Sequence, residues 1–347
     1  MNNVIELEQA MAAEQTVYID MRSPGEYEEG HIPGAISMPL FSNLERVEVG
    51  TTYKQIGADE AKQQGLEIVS PKLPGIVNQI RDMKQAGKTI VIYCWRGGMR
   101  SRSIVSVIAM MGITTYQLKG GYKAYRRYIL DSLDSFKLQP KIVVLCGSTG
   151  VGKTSLLAYL AAKGIATLDL EKLANHRGSA FGHVGLGRPA TAQQFDMAIL
   201  AQLRALNDEP YIVVECESKR IGNVYLPAVL YQAMQRGSRI LLTADLDVRI
   251  IRLIEEYTGV YQDNKQAIEA SIEALRPRLG QKKTEGLLAD LQAGEMRTVV
   301  RVLLSGYYDA LYGYEAADEN KFAAVISAND FDKATADIIE FLHRVRR

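Results

Sequence analysis

Two short stretches of this chain combine residue types that do chemistry. In "CWRGGMRS", Cys94 is followed by Arg96, by the pair Gly97 and Gly98, and by Arg100. The β-rich run "TIVIY" leads into the cysteine, and a helix-like run follows the loop. Backbone N–H groups in such a loop point inward. With the positive end of the next helix they favour a thiolate at Cys94. The same donors suit an oxyanion, with Arg96 and Arg100 as charged partners. A nucleophile beside an anion cradle fits transfer of a group from an anionic donor. An inert strand-end cysteine needs neither the glycines nor the arginines.

The second stretch is "GSTGVGKTSLL", Gly147 to Leu157. Gly147, four residues, then Gly152, Lys153 and Thr154 is the spacing of a phosphate-binding loop. Gly147, Ser148, Thr149, Gly150, Val151 and Gly152 form the cradle, its glycines letting the backbone curl until successive N–H groups converge on one anion. Lys153 is placed to reach the terminal phosphate, and the Thr154 hydroxyl to bind Mg²⁺. A carboxylate at the end of a neighbouring strand usually completes that metal site. Asp169, with Glu171 just beyond it, and Glu215, with Glu217 two residues on, both qualify. No guanine-reading Asn/Thr-Lys-x-Asp segment follows a later strand, and no nucleotide-kinase lid stands out. The loop implies a diphosphate or triphosphate and does not name the rest of the ligand.

Strands and helices must alternate to position these loops. In the first half Thr16–Met21, Thr89–Cys94 and a short run near Tyr116 read as strands, and 103–112 as a helix. The unbroken apolar run before Cys94 implies burial on both faces of a parallel sheet. Val47 to Pro74 reads as helix and loop. In the second half Lys141–Cys146, Ile165–Leu170, Tyr211–Cys216, Ser238–Ala244 and Phe322–Ala328 read as strands, and Leu246 to Tyr314 as mostly helical. The expected class is α/β, with a parallel-sheet domain over 1–137 and a phosphate-loop α/β domain with a helical C-terminal part over 138–347. The seam rests on Pro140, which disfavours helix at the residue before it.

Composition narrows the class. The 347 residues are 47% hydrophobic and 23% charged, with net charge +1. No global basic field marks a nucleic-acid binder, so such a partner must be held by local patches. The apolar runs are only strand length, which predicts no membrane span. "MNNVIELEQAMAAEQ" lacks the pattern of a signal peptide. Three scattered cysteines give neither a disulfide framework nor a zinc site. A cytoplasmic, reduced protein is expected.

The first half resembles a rhodanese domain, on "YIDMRSPGEYEEGHIPGAISMP" (Tyr18 to Pro39) and "LKGGY" (Leu118 to Tyr122). Five residues separate Cys94 from Arg100, where rhodanese loops usually have four; five resembles the related cell-cycle phosphatases. The wider cradle suits a phosphate-sized anion and speaks against simple thiosulfate sulfurtransferase activity. Nearly the whole chain resembles the tRNA 2-selenouridine synthase family, on "CWRGGMRS", "GSTGVGKT", "LDLEKLANHRGSAFGHVG" (Leu168 to Gly185) and "VECESKRIGNVYLP" (Val214 to Pro227). That resemblance implies action on wobble 2-thiouridine of certain tRNAs. A geranyl group from geranyl diphosphate is attached to the sulfur, and selenium from selenophosphate then replaces the geranylated sulfur.

On this reading the loop Gly147–Thr154 holds the donor's diphosphate with Mg²⁺. Cys94 takes selenium as a selenyl-sulfide, with Arg96 and Arg100 at the phosphate. Trp95 either packs at the loop edge or meets the prenyl chain or the base. Candidate tRNA contacts are Lys119, Lys123, Arg126 and Arg127, interleaved with tyrosines, and the run Arg276–Lys283; a solvated basic face is the bland alternative. His31 is expected to be a turn residue, and Cys146 and Cys216 to be packing residues. The stretch between His176 and His183, with Arg177 and Arg188 near it, reads equally as a closing loop or as a plain connection. The alternatives to the transferase are a phosphate-loop kinase or ATPase with an appended sulfurtransferase domain, and a regulatory anion-binding module. Cys94 counts against the last.

Overall fold

The computed structural model describes residues 3–312 and 321–346. The chain divides into two compact units, Met1–Ser132 and Leu133–Arg347. The division falls near the end of the helix Gly121–Asp134, a few residues before the seam read at Pro140.

In the first unit β1 (Val4–Ile5), β2 (Thr16–Asp20), β3 (Ile36–Ser37), β4 (Thr89–Tyr93) and β5 (Tyr116–Leu118) form a parallel sheet in the order β1-β5-β4-β2-β3. Central β4 has Ile90, Val91, Ile92 and Tyr93 without solvent exposure, which is why its sequence is apolar without alternation. The two-residue edge strands β1 and β3 carry no periodicity that a sequence reading detects. The stretch expected to be helix and loop is helical almost throughout: Asn43–Gln55, Ala58–Val69 and Leu73–Gln85. Ser42 and Glu45 close a capping box at its start, satisfying donors that a helix end otherwise leaves open. The helix after the cysteine loop is Met99–Met110, beginning four residues earlier than expected, directly at Gly98.

The second unit holds β6 (Lys141–Cys146), β7 (Thr167–Leu168), β8 (Tyr211–Glu215), β11 (Ser238–Thr243) and β12 (Ala324–Ser327), parallel in the order β12-β11-β6-β8-β7. An antiparallel hairpin of β9 (Arg220–Ile221) and β10 (Val224–Tyr225) interrupts the alternation. The strand β7 is shorter than expected because Asp169 leaves it to cap the helix Leu170–Ala174. Val143, Leu145, Val213 and Ile240 form the core with Leu156 and Leu160 of Lys153–Ala162 and Ile338 of Phe331–Arg346.

Strand β6 sits between β8 and β11: the chain runs from β6 out to β7 beyond β8, and after β8 it crosses back over to β11 on the other side. The crevice at the C-terminal end of β6 is where an open α/β sheet binds ligands, and the phosphate loop begins there. From Leu246 the chain is helical: Leu246–Ala274, Arg276–Leu279, Gln281–Gln292, Met296–Leu303, and a π-helical turn at Leu304–Tyr308. The expected end of this region, Tyr314, lies outside the described residues. Among the described residues no helix is long and apolar enough to cross a membrane.

Candidate thiol and phosphate-loop sites

Cys94 stands at the end of β4, where the chain turns toward Gly98 before the next helix. The Gly98 N–H donates to Sγ at 3.2 Å, and Ser101 Oγ lies 3.2 Å from the same sulfur. The Gln117 amide group holds this turn from the side, donating to the Gly97 carbonyl at 2.7 Å and to Ser101 Oγ at 3.0 Å. Cys94 is 3% exposed. Its close polar neighbours are thus the Gly98 N–H and Ser101 in the first turn of the next helix, while β4 and that helix pack hydrocarbon behind it.

Glycine is required where the loop meets the turn after β5. Gly121 has φ +59°, and a Cβ there would come within 2.1 Å of the Cys94 carbonyl. Backbone bonds from Tyr122 N to Cys94 O and from Lys123 N to Trp95 O, both 2.9 Å, close the contact.

The two arginines of the motif are not equivalent. Arg96 is exposed. Arg100 makes a two-pronged pair with Glu26, at 2.6 and 3.2 Å. Burial opposes charge on Glu26, but Arg100 outweighs it and holds the carboxyl below its ordinary range. An anion at Arg100 therefore competes with Glu26.

A buried cation lies beneath the loop. Arg22 pairs with Asp20 at 2.6 Å, donates to the Gly30 carbonyl at 2.6 Å, and lies 4.0 Å from the centre of the Tyr122 ring. Burial pushes the Tyr122 hydroxyl up to about 12. Trp95 packs against Tyr122 with ring centres 5.8 Å apart. Sequence spacing gave no sign that Arg22 would anchor this aromatic group.

The phosphate loop curls as its glycines allow. Gly152 has φ +96°, and a Cβ there would come within 2.5 Å of the Phe331 ring. Lys153 Nζ donates to the Gly147 carbonyl at 3.1 Å. Two arginines brace the loop from behind: Arg249 Nε donates to Thr149 O and Arg252 Nη1 to Val151 O, each at 2.9 Å. Arg249 is in turn paired with buried Asp309.

Thr154 Oγ1 donates to Glu171 Oε2 at 3.1 Å, and the Glu171 N–H donates to Glu215 Oε1 at 2.9 Å. Glu215 is fully buried, and its Oε2 has no hydrogen-bond partner. Asp169 accepts from Lys172 N at 2.8 Å as a helix cap. The carboxylate placed against Thr154 is therefore Glu171; Glu215 stands behind it, and Asp169 is engaged with its own helix. Burial raises all of these acids. Burial and then nearby Glu171 and Asp169 push Glu215 far up; burial and then Glu171 push Glu217 up to about 8. Several carboxyls forced together in this way form a place where a cation is favoured.

A family model described as tRNA 2-selenouridine synthase AAA domain matches residues 140–344, and a rhodanese-like domain model matches 3–128. The tRNA 2-selenouridine synthase of Pseudomonas syringae pv. syringae (strain B728a) is 33% identical, over 93% of this chain and 94% of that one. The protein of the same name from Pseudomonas syringae pv. tomato (strain ATCC BAA-871 / DC3000) is 34% identical, over 90% and 92%. The chain belongs to the tRNA 2-selenouridine synthase family. Among solved structures, the N-terminal domain of a candidate ATP/GTP binding protein from Clostridium difficile 630 is 50% identical over 37% of this chain, with a TM-score of 0.36.

The other residues singled out in this family member fall into place unevenly. On the helix Gly121–Asp134, Tyr122, Tyr125, Ile129 and Leu133 are buried and Lys123 and Arg127 are exposed. Tyr122 and Tyr125 are thus core rather than stacking platforms. Arg126 is half-buried, and Lys119 pairs with Glu6. In the second basic run Arg276 pairs with Glu273 at 2.6 Å and Arg278 donates to the Tyr307 hydroxyl at 2.6 Å, leaving exposed Lys282 and Lys283. His31 stacks on Tyr27 at 3.7 Å and lies just before the turn at Pro33 and Gly34.

The segment from His176 to Arg188 is pinned. Asn175 Nδ2 donates to the Leu186 and Arg188 carbonyls at 2.8 and 2.9 Å, Arg177 pairs with Glu256, and the His176 ring is wedged against Gly182 and Gly222. Exposed His183 takes no part in that wedge.

Proposed function

We propose that this chain converts 2-thiouridine in tRNA to 2-selenouridine in two steps, S-geranylation and selenium insertion. One observation carries the reading. A chain of this family pairs a phosphate loop at a sheet's switch point with a cysteine held by the Gly98 N–H and the Ser101 hydroxyl. Its relatives bear the name of that reaction.

In the first step the loop Gly147–Thr154 holds the diphosphate of geranyl diphosphate. The thiocarbonyl sulfur attacks the allylic carbon, the carbon–oxygen bond breaks, diphosphate departs and the base loses its N3 proton. Lys153 and the loop N–H groups offset the negative charge that collects on the leaving group. Mg²⁺ fits the oxygens present: the Thr154 hydroxyl, adjacent Glu171, and the orphaned Glu215 oxygen behind it. Among the described residues no three acidic, histidine or cysteine side chains make a metal site by themselves. An ion that takes most of its ligands from phosphate and water does not need one. Bound there, it would add positive charge beside the departing diphosphate.

In the second step Cys94 receives selenophosphate. Attack of Sγ on phosphorus breaks the P–Se bond and frees selenide with no change of oxidation state. Selenide adds at C2 of the base, geranyl thiolate leaves, and water cleaves the S–P bond to give phosphate. The selenyl-sulfide expected from the family resemblance, formed by attack on selenium, balances only if phosphorus leaves as phosphite. With Sγ so little exposed, the loop must yield to admit the donor. Arg96 and Arg100 serve as phosphate partners, Arg100 by leaving Glu26. Exposed Lys123 and Arg127, with Lys119 and Arg126, contact the tRNA backbone.

The test is mass spectrometry of nucleosides from 2-thiouridine-containing tRNA incubated with the protein, geranyl diphosphate and selenophosphate. The reading requires geranylated and then selenated base. ATP or GTP turnover with no response to the prenyl donor would instead support a nucleotide-driven enzyme.

A further inference from the structure

A cleft of about 560 Å³, its open mouth included, lies beside the phosphate loop. Its walls are Leu253, Ile268, Val299, Val300 and Leu303, with the π-helical turn contributing Leu304 and Tyr308. Thr149 of the phosphate loop lines it too, as does Ser179. Leu253 also sits against the loop, since a Cβ on Gly150 would lie 3.0 Å from it. Arg249 ties Thr149 to Asp309, which directly follows the π-helical turn. Such turns often mark functional sites.

We infer that this cavity takes the hydrocarbon chain of an isoprenyl diphosphate whose diphosphate sits on the loop. The inference rests on the proposed use of the loop for an allylic diphosphate and names the subsite that selects the chain. A nucleoside in this position would carry a base and sugar that need hydrogen-bond partners, and leaving them without any is costly. The walls, aliphatic with the Phe181, Tyr257 and Tyr308 rings among them, expose almost no polar surface. They suit a chain that gains by leaving water. At about 30 Å³ per heavy atom, the liquid share of one water, a ten-carbon chain needs on the order of 300 Å³. Counted with its open mouth, the cleft has room for such a chain.

The test is calorimetric titration of the full chain with inorganic diphosphate and with dimethylallyl, geranyl and farnesyl diphosphates. Geranyl diphosphate is expected to bind about a hundredfold more tightly than diphosphate, with the five-carbon donor between them. Val300→Phe fills the cavity and should remove at least about tenfold of that advantage while leaving diphosphate affinity unchanged, which also shows that the variant is folded. Leu303→Ala enlarges it and should shift preference toward the fifteen-carbon chain. Equal affinity of all four ligands for the wild-type chain, or a chain-length preference untouched by both substitutions, overturns the cavity assignment and leaves the loop assignment standing. Binding of ATP with none of the four diphosphates overturns both.

Discussion

The Thr154 hydroxyl donates to Glu171, which lies two residues beyond the strand-end aspartate. That contact separates the carboxylate able to share a cation with Thr154 from Asp169, which caps a helix. Glu171→Gln is expected to lower geranyl transfer by about 10²-fold or more and to raise the Mg²⁺ concentration needed for half-maximal rate. Asp169→Asn keeps the cap, because asparagine caps as well as aspartate, and should leave the Mg²⁺ titration near wild type. The reverse pattern in the two titrations would move the metal site to Asp169.

Lys153→Ala should abolish geranylation by removing the charge that faces the leaving diphosphate. Cys94→Ala should spare geranylation and stop selenium insertion. Phosphorus NMR of the selenium step identifies the attack: phosphate with Cys94 as nucleophile at phosphorus, phosphite for a selenyl-sulfide. Loss of both steps in a folded Cys94→Ala protein would remove the division of labour.

The acid cluster sets a pH dependence with a definite sign. Glu217 is raised from an ordinary 4.5 to about 8, burial being the first cause and Glu171 the next. Between those values the unfolded chain has lost this proton and the native chain keeps it, so stability falls as pH rises through the window. Glu217→Gln should therefore flatten the melting temperature between about pH 5 and 8 compared with wild type, read by calorimetry without Mg²⁺. A parallel profile for the two proteins would mean that Glu217 ionises normally in the fold.

Gly121→Ala places a methyl group against the Cys94 carbonyl at a positive φ. It should cost about 1–3 kcal/mol of stability and impair selenium insertion more than geranylation. Thermal melting and the two step assays check this together.

Breaking the Arg249–Asp309 pair from one side leaves a buried charge unmatched, at about 3–5 kcal/mol. Asp309→Asn should lower the melting temperature and weaken diphosphate binding, since Arg249 also holds the Thr149 carbonyl. Unchanged diphosphate affinity would show that the brace does not shape the loop.

Much of this was legible in the chain. The unbroken apolar runs before Cys94 and Gly147 are buried parallel strands because residues covered on both faces cannot alternate. The glycines at 147, 150 and 152 are where a curled loop needs positive φ. Local pattern failed where the decision was not local. The edge strands β1 and β3 are set by their neighbours, whereas the Ser42–Glu45 capping box that starts the helix Asn43–Gln55 is a local signal between residues three positions apart.

Sequence by itself determined the two loops, the strand–loop–helix units that carry them and the family, because spacing along the backbone dictates which amides converge. Tertiary structure alone decided which side chains are engaged. It set Glu26 on Arg100, Glu171 on Thr154, Arg22 under Tyr122, and an apolar cavity beside Thr149. These are contacts between residues far apart in the chain or around a turn. They form only when packing brings the elements together, and no spacing rule along the backbone encodes them.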